Sequence, residues 1–542
     1  MNKFKNFFVY SIKTLKGNYI KLLTLTIISV ISSLVSLYLP LLSGNFINSL
    51  IENPAISTIK SFCKLIIIVN LVNFFLSYVL SIINIYIQTT SSYTLNCNMI
   101  KKLQRVSLLN IQKKDITYLN QRINNDCNAI VIFIINLIKD IIVNIISFAV
   151  SLVFLYKISN RILWCIFFIF LLYLLLYRIY KGKILIIKRK LLDIQGEYFA
   201  KLQEQLQYIK FIKVYNCSKL FISDLNKKFI KLKKMLIKNQ NYMYMLNFSE
   251  QNLILFAQIF LYFDGGIQVI NGKLSIGMFT IMSSYFSNII TSIKYFSNLY
   301  QQYLSTYVSY DRIMELEDLE NDNNGTVIIE NLHSFTLKDI NFCYNKKSII
   351  NNFSYDFKIG NVYQICGENG KGKTTLINLI IGLYTDYSGN IEVNNINAKN
   401  INLYDFRRDH ISVIAQNPLL VNGKIYDNLV LDNHFDNNII TRYILEFNLI
   451  KDETELDDFL SKDITEFLKN VSGGEGQKLN IIRELLRDKT LMIFDEPTSA
   501  LDFESKKVLV KYIKQLKANH IIILITHDIF LQENLNMIKI NL

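Results

Sequence analysis

Nine consecutive residues, GENGKGKTT from Gly367 to Thr375, have the types and spacing of a phosphate cradle. Gly367, Gly370 and Gly372 let the backbone curl, so that the amides of Glu368, Asn369, Lys371 and their neighbours face phosphate oxygens. Lys373 would reach the β- and γ-phosphates of ATP. The hydroxyl of Thr374 would ligate Mg2+, with Thr375 completing the loop. A second cluster, LMIFDEPTSALD, places Asp495 at the end of an apolar run, where its carboxylate can hold the magnesium shell. Glu496, the next residue, can polarise an attacking water as general base.

A third cluster, VSGGEGQ from Val471 to Gln477, sits at a helix start and offers another anion-binding surface in Ser472, Gly473 and Gly474. One nucleotide already has its phosphates cradled by Gly367–Thr375, so this surface needs its own explanation. Either it is a glycine-softened helix cap, or Ser472–Gly474 of one chain closes over the γ-phosphate held by another in a head-to-tail dimer. The second reading makes ATP a glue between two copies and hydrolysis the release.

Strands must hold these loops. NVYQIC, LMIF and IIILIT are short apolar runs, as expected of buried parallel strands, and the first two lead directly into the polar clusters. Residues 330–542 therefore read as an α/β nucleotide-binding domain. An acidic, Asn-rich linker, 313–329, joins it to a first domain, 1–312, of different character.

That first domain is mostly apolar. A helix needs roughly 20 apolar residues to cross a bilayer, and six stretches qualify: about 20–39, 62–87, 130–156, 162–180, 252–270 and 276–300. ILWCIFFIFLLYLLLY is apolar on every face, which a helix of a water-soluble protein seldom is. The expected fold is thus an α-helical polytopic membrane domain followed by an α/β phosphate-loop domain. Lys and Arg crowd the N-terminus, the 88–129 loop and the 181–251 loop, while 40–61, 157–161 and 271–275 hold only Lys60, Lys157, Arg161 and Lys273. Positive charge stays on the cytoplasmic side. The expectation is a multi-pass protein of the cytoplasmic membrane with both termini and the nucleotide-binding domain inside. Lys139 and Asp140, within the third stretch, read as snorkelling residues. Asp264, before Gly265–Gly266, either faces a cavity or is a satisfied boundary residue.

Charge and cysteines narrow the class. The formal net charge of +15 is regional: the part up to Glu320 carries about +20 and the remainder about −5. This suits a membrane protein with cytoplasmic loops better than a nucleic-acid binder. Seven cysteines without CxxC or CxxH spacing argue against a zinc site or a disulfide framework. The basic, amphipathic N-terminus, MNKFKNFFVYSIKTLKGNYIK, has no small-residue cleavage site and reads as an interfacial helix.

Taken together the three soluble clusters resemble the ATP-binding cassette family. LTLTIISVISSLVSLYLPLLSGNFINSLI, DITYLNQRINNDC, LQEQLQYIKFIKVYN and GKLSIGMFTIMSSYFSNI look like the corresponding stretches of its six-span exporters, so the likeness covers nearly the whole chain. The resemblance implies further roles. Tyr344 matches the aromatic that stacks on adenine, and Gln416 the glutamine that senses Mg2+ and contacts the membrane domain. Asp502 matches the loop that crosses to the partner subunit, and His527 the histidine that contacts the γ-phosphate. Val471 stands where the family usually has Leu, Glu475 replaces a more common Gln, and Lys371 replaces a frequent Ser. The segment DITEFLKN is short and lacks glycines found before the signature in many exporters.

The reading is an ATP-hydrolysing half-transporter that works with a second copy or a sister half-transporter. Glu496, His527 and Lys373 would be catalytic. Coupling helices are expected around Lys114–Gln121 and Tyr208–Lys219. The exported substrate is read as a small peptide such as a bacteriocin. Alternatives are a drug or lipid exporter, an importer on the same fold, or an ATP-switched gate or sensor that does not pump.

Overall fold

The computed structural model describes residues 2–52, 55–112, 114, 116–322, 324–344, 347–368, 370–431, 433–465 and 470–542. Two compact units emerge. One comprises Met1–Arg105 and Gln112–Leu319, the other Val106–Ile111 and Glu320–Leu542.

The first unit is helical: α1 (Asn2–Lys13), α2 (Tyr19–Glu52), α3 (Ile56–Leu103), α4 (Leu108–Gln112, its first residues in the other unit), α5 (Ile116–Gln121), α6 (Cys127–Ile158), α7 (Asn160–Gln207), α8 (Ile209–Val214), α9 (Ser218–Ile270) and α10 (Ile276–Glu317). A π-helical turn, Arg122–Asp126, leads into α6. Six of these helices are long and apolar enough to cross a membrane. They outrun the apolar stretches because a helix satisfies its own backbone whether lipid or water surrounds it. Polar sequence such as FISDLNKKFIKLKK simply continues α9 beyond the apolar run. The last helix also enters the segment 313–329 read as linker, ending at Glu317.

Within this unit α7 runs along α9, α6 along α10, and α2 along α3 and α10. The α2–α10 crossing is tight. A Cβ on Gly277 would collide with the Gly44 carbonyl and with Asn48, and one on Gly44 with Ile281. The Gly277 amide donates to Asn48 Oδ1 at 3.0 Å. Small residues permit such approach where lipid supplies no hydrophobic drive between helices. One apolar cluster gathers Leu37, Leu155, Tyr173, Leu261, Tyr285 and Ile289, and another Phe7, Leu25, Ile87, Ile134 and Ile313. Large apolar side chains also point outward: Phe74, Trp164 and Phe263 are 75%, 70% and 69% exposed.

Two acids of the spans are paired with cations. Asp264 is buried, with Arg161 Nη1 at 3.4 Å and Gln268 Nε2 donating at 2.6 Å, so it is a satisfied residue. Lys139 and Asp140, read as snorkelling, bond each other at 3.2 Å. Near the π-helical turn, Arg122 meets Glu315 at 2.9 Å and Asp126 meets Arg312 at 3.1 Å.

The second unit is built on strands β1 (Ser334–Tyr344), β2 (Lys347–Lys358), β3 (Asn361–Cys366), β4 (Ser388–Val393), β5 (Ile396–Asn397), β6 (Ile411–Ile414), β7 (Gly423–Lys424), β8 (Asp463–Ile464), β9 (Leu491–Asp495), β10 (Ile521–Ile525) and β11 (Ile538–Asn541). β2-β1-β4-β5 form an antiparallel sheet, and β7-β8 a short ribbon. A parallel sheet runs β11-β3-β10-β9-β6. Alternation along its strands feeds two cores: Ile521, Ile523, Leu491 and Ile493 on one face, Ile522, Leu524, Met492 and Phe494 on the other.

The segment Val106–Ile111 belongs to this unit. Val106 bridges Asn321, the Ser107 amide donates to the Glu320 carbonyl, and Leu108 and Leu109 pack on the first sheet core. Of the segment Lys114–Gln121 expected to hold a coupling helix, α5 belongs with the first unit, while the preceding α4 carries the apolar pair that packs here. The second expected segment, Tyr208–Lys219, holds the short helix α8 within the first unit. Residues 466–469 of the shortened segment lie outside the described residues.

Candidate nucleotide site

Three neighbouring parallel strands deliver the candidate residues to one edge. In register, Leu524 of β10 lies opposite Gln364 of β3, and Ile525 lies opposite Asp495 of β9. The loop after β3, the acidic pair ending β9 and His527 after β10 therefore leave the same carboxyl end of the sheet, the usual place for a ligand in such a fold.

The loop from Gly367 turns into the helix Lys373–Ile380. Gly370 and Gly372 have φ of +82° and +98°, and a Cβ on Gly372 would meet Ile349 Cγ2 at 2.7 Å, so glycine is required there. Lys373 is buried; its Nζ donates to the Gly367 carbonyl at 2.9 Å and lies 3.1 Å from His527 Nε2. Lys371 pairs with Glu368 at 3.7 Å, both exposed. Thr374 is exposed and Thr375 half-buried at the start of the helix. Asn369 lies outside the described residues.

Glu496 has a left-handed backbone, φ +48°, and its amide donates to the Ile525 carbonyl at 2.8 Å. That strained turn is where a functional carboxylate is often held. Gln416, following β6, donates from Nε2 to Glu496 Oε2 at 2.9 Å. Burial pushes the Asp495 carboxyl above its ordinary range, the Glu496 charge adds to this, and Lys373 opposes it. A divalent cation would offset that crowding. Among the described residues no group of three His, Cys, Asp or Glu could hold a metal. Mg2+ keeps several waters and takes few protein ligands, so the donor set of Thr374, Gln416 and Asp495 fits it.

Ser472 caps the helix Gly473–Arg487. Its Oγ accepts from the Glu475 amide at 3.2 Å, and Glu475 Oε2 accepts from the Ser472 amide at 2.8 Å. This reciprocal box explains Glu475, which sequence reasoning had marked only as a departure. Asp502 caps the helix Phe503–Leu516, accepting from the Ser505 amide at 2.8 Å, and meets Lys478 Nζ at 2.6 Å. Burial pushes the Asp502 carboxyl up, but Lys478 and Ser505 outweigh it and hold it down at about 2.

The fold thus gathers Lys373, His527, Asp495, Glu496 and Gln416. Ser472–Gly474 and Asp502 form a second group, and Tyr344 is exposed at the end of β1. Among the described residues no hydrogen bond or ion pair joins Ser472 or Gly474 to the phosphate loop. The buried side chain of Gln477 was missed. Its Nε2 donates to the Ala415 and Pro497 carbonyls at 3.4 and 3.3 Å, tying the Gln416 loop to the Glu496 loop. Its signal was a polar residue on the inward face of an amphipathic helix.

Two family descriptions match the chain: "ABC transporter transmembrane region" over residues 22–293 and "ABC transporter" over residues 350–499. The microcin-J25 export ATP-binding/permease protein McjD of Escherichia coli is 25% identical over 548 residues, 97% of this chain and 92% of that protein. An ATP-dependent lipid A-core flippase of Francisella tularensis subsp. holarctica is 30% identical over 207 residues, 38% of this chain and 34% of the flippase. In fold, the chain is similar to a bacterial Atm1-family ABC exporter with ATP bound. The TM-score is 0.84 at 16% identity, covering 97% of this chain and 94% of that one.

Proposed function

The chain belongs to the ABC transporters, with both their transmembrane region and their ATP-binding domain, and from that premise we propose how it works and what it carries. It is an ATP-driven exporter of the membrane, and its cargo is a small peptide. The observation supporting peptide over lipid is length of likeness. The microcin-J25 export protein McjD aligns across both units, whereas this flippase aligns over 38% of the chain.

In this reading Lys373 neutralises the outer phosphates of ATP from the buried end of the loop, and Tyr344 stacks on the adenine. Gly367–Thr375 cradle the phosphates through backbone amides. Thr374, Gln416 and Asp495 would hold Mg2+, which would supply charge screening of the phosphates. Glu496, fixed by Gln416 and by its own strained backbone, takes a proton from the attacking water. His527 contacts the γ-phosphate from the far side of Lys373.

Two copies make the working unit. Ser472–Gly474 and the Asp502 loop of one copy close over the phosphate held by the other, which accounts for a second anion surface that a single chain does not use. Both termini and the ATP-binding domain lie in the cytoplasm, following the lysines and arginines. Cysteines placed at Lys371, whose side chain is exposed beside the loop glycines, and at Ser472 should crosslink between copies when nucleotide is trapped; absence of that crosslink removes the dimer reading. Cargo is tested by ATP turnover of the reconstituted protein across panels of peptides, drugs and lipids. Stimulation confined to drugs or lipids would rule the peptide out.

A further inference from the structure

Glu250 differs from Asp140 and Asp264, the acids of the apolar spans described above. Asp264 has Arg161 and Asp140 has Lys139, but among the described residues no Lys or Arg pairs with Glu250, although it is only 8% exposed. Its Oε1 accepts a hydrogen bond from the Ser297 hydroxyl at 2.9 Å. The Tyr173 hydroxyl, also buried, stands beside both without meeting hydrogen-bond geometry with either. These three residues come from α9, α10 and α7, helices that converge here.

Ser297 and Tyr173 line a cavity of about 540 Å³ in the helical unit. The rest of the lining is largely apolar and aromatic, with Phe148, Phe170, Ile293 and Phe296, and includes a further hydroxyl-bearing residue, Tyr300. This is the make-up of a small-ligand site, an apolar chamber with a few convergent polar groups. The sign of those groups follows from hydrogen bonding. A serine hydroxyl has one proton, and Ser297 gives its own to Glu250, so toward any further partner it acts as an acceptor. A carboxylate stands behind it. The Ser297 side of the cavity is therefore electronegative, and a buried acid of a spanning helix is a candidate functional residue by default.

We propose that this cavity is a recognition subsite for a lipophilic cation, an amine or guanidinium carried on an apolar body. The apolar body fills the aromatic chamber, and the cation donates toward Ser297 and Tyr173, with the Glu250 charge acting from behind Ser297. The inference deepens the export reading and rests on it for its meaning: it specifies the chemistry of the exported molecule, a peptide with an amine beside bulky apolar groups or a simpler lipophilic amine.

The test is equilibrium binding to the full-length protein in lipid nanodiscs without nucleotide, with empty nanodiscs subtracted. The probes are two matched pairs: the tripeptide amide Phe-Leu-Phe amide with its N-acetyl counterpart, and phenylbutylamine with phenylbutanol. Wild type should prefer the amine of a pair by about tenfold to a hundredfold, the ratio one charge-assisted hydrogen bond supplies. Glu250→Gln should bring amine and neutral probe to parity while the neutral probe still binds, and Glu250→Asp should keep part of the preference. Preference in the peptide pair alone identifies a peptide source of the cation, and in the other pair alone a small amine. Equal affinities in wild type, no measurable binding of either amine, or a preference that survives Glu250→Gln each overturn the proposal. Because no ATP is present, these outcomes are independent of whether the protein pumps. Loss of ATP turnover or of transport would sink the export reading while leaving the cation preference to be read on its own.

Discussion

Phe494 and Phe74 are the same residue type used in opposite ways. Phe494, in β9, is fully buried between sheet and helix; Phe74, in α3, is 75% exposed. The apolar window of α3 has no buried residue at all, whereas β10 is buried along its whole length. Two units of one chain thus answer to two solvents. In the ATP-binding unit apolar groups hide from water, and Asp495 and Glu496 stand at the end of a buried strand. In the helical unit apolar groups face outward, and acids inside are paired or, at Glu250, held by a serine.

That contrast can be tested by making like changes in both units. The largest effect should come from removing a carboxylate. Glu496→Gln should lower ATP turnover by about 10²–10⁴-fold, whereas Asp264→Asn should change it only a few-fold, as read by phosphate release. If both fall equally, the division of labour between the units is wrong. Next, Phe494→Ala should cost about 3–5 kcal/mol in denaturant unfolding of the purified protein, through a cavity in a packed core. Phe74→Ala should stay within about 0.5 kcal/mol.

Smaller still is the effect of crowding at a helix crossing. Gly277→Val should cost about 1–3 kcal/mol by forcing α2 from α10, seen as a lower thermal midpoint with nucleotide affinity retained. Gly372→Val should do the reverse, abolishing nucleotide binding while the helical unit keeps its midpoint.

The smallest effect is a pH dependence confined to the ATP-binding unit. His520 Nε2 lies 3.0 Å from Asp488 Oδ1. Burial alone would lower the His520 pKa, but the hydrogen bonds to Asp488 and to the Leu516 carbonyl, together with the Asp488 charge, outweigh it and raise it above its ordinary 6.5. The Asp488 carboxyl is held below its ordinary 3.8 by the same bond. A raised histidine contributes stability that is full below 6.5 and lost as pH rises through its folded value. A depressed aspartate contributes above 3.8 and loses it as pH falls through its own. Between the two ordinary values both contributions hold. The thermal midpoint of wild type minus that of His520→Gln should therefore be greatest near about pH 5 and shrink toward about pH 9. A difference that grows with pH would refute the pairing.

The contrast also explains what could be read beforehand. Six apolar runs and three strand-then-loop clusters were legible because both are local patterns. Each run needs only a length of apolar residues, and each cluster only a strand and a turn. Helix ends were less legible: α7 and α9 continue through lysine-rich sequence because nothing in it breaks a helix. Contacts made at a distance were invisible. Nothing in VSGGEGQ says that Gln477 reaches Ala415 and Pro497, and nothing near Leu108 says that it packs on a sheet formed two hundred residues later. Glu475 was legible in principle, since Ser followed three residues on by Glu is a capping signature, but its likeness to a family pattern drew attention to the mismatch instead.

One feature of the helical unit has a mechanical side. α9 runs unbroken from Ser218 to Ile270, 53 residues, which at 1.5 Å per residue is a rod of about 80 Å. It contains no proline, and its only glycines are Gly265 and Gly266, close to the far end. With no soft joint along most of its length, a tilt imposed near Ser218 is not absorbed on the way; it arrives magnified at Phe263, having swept Glu250 sideways in proportion to its distance from the pivot.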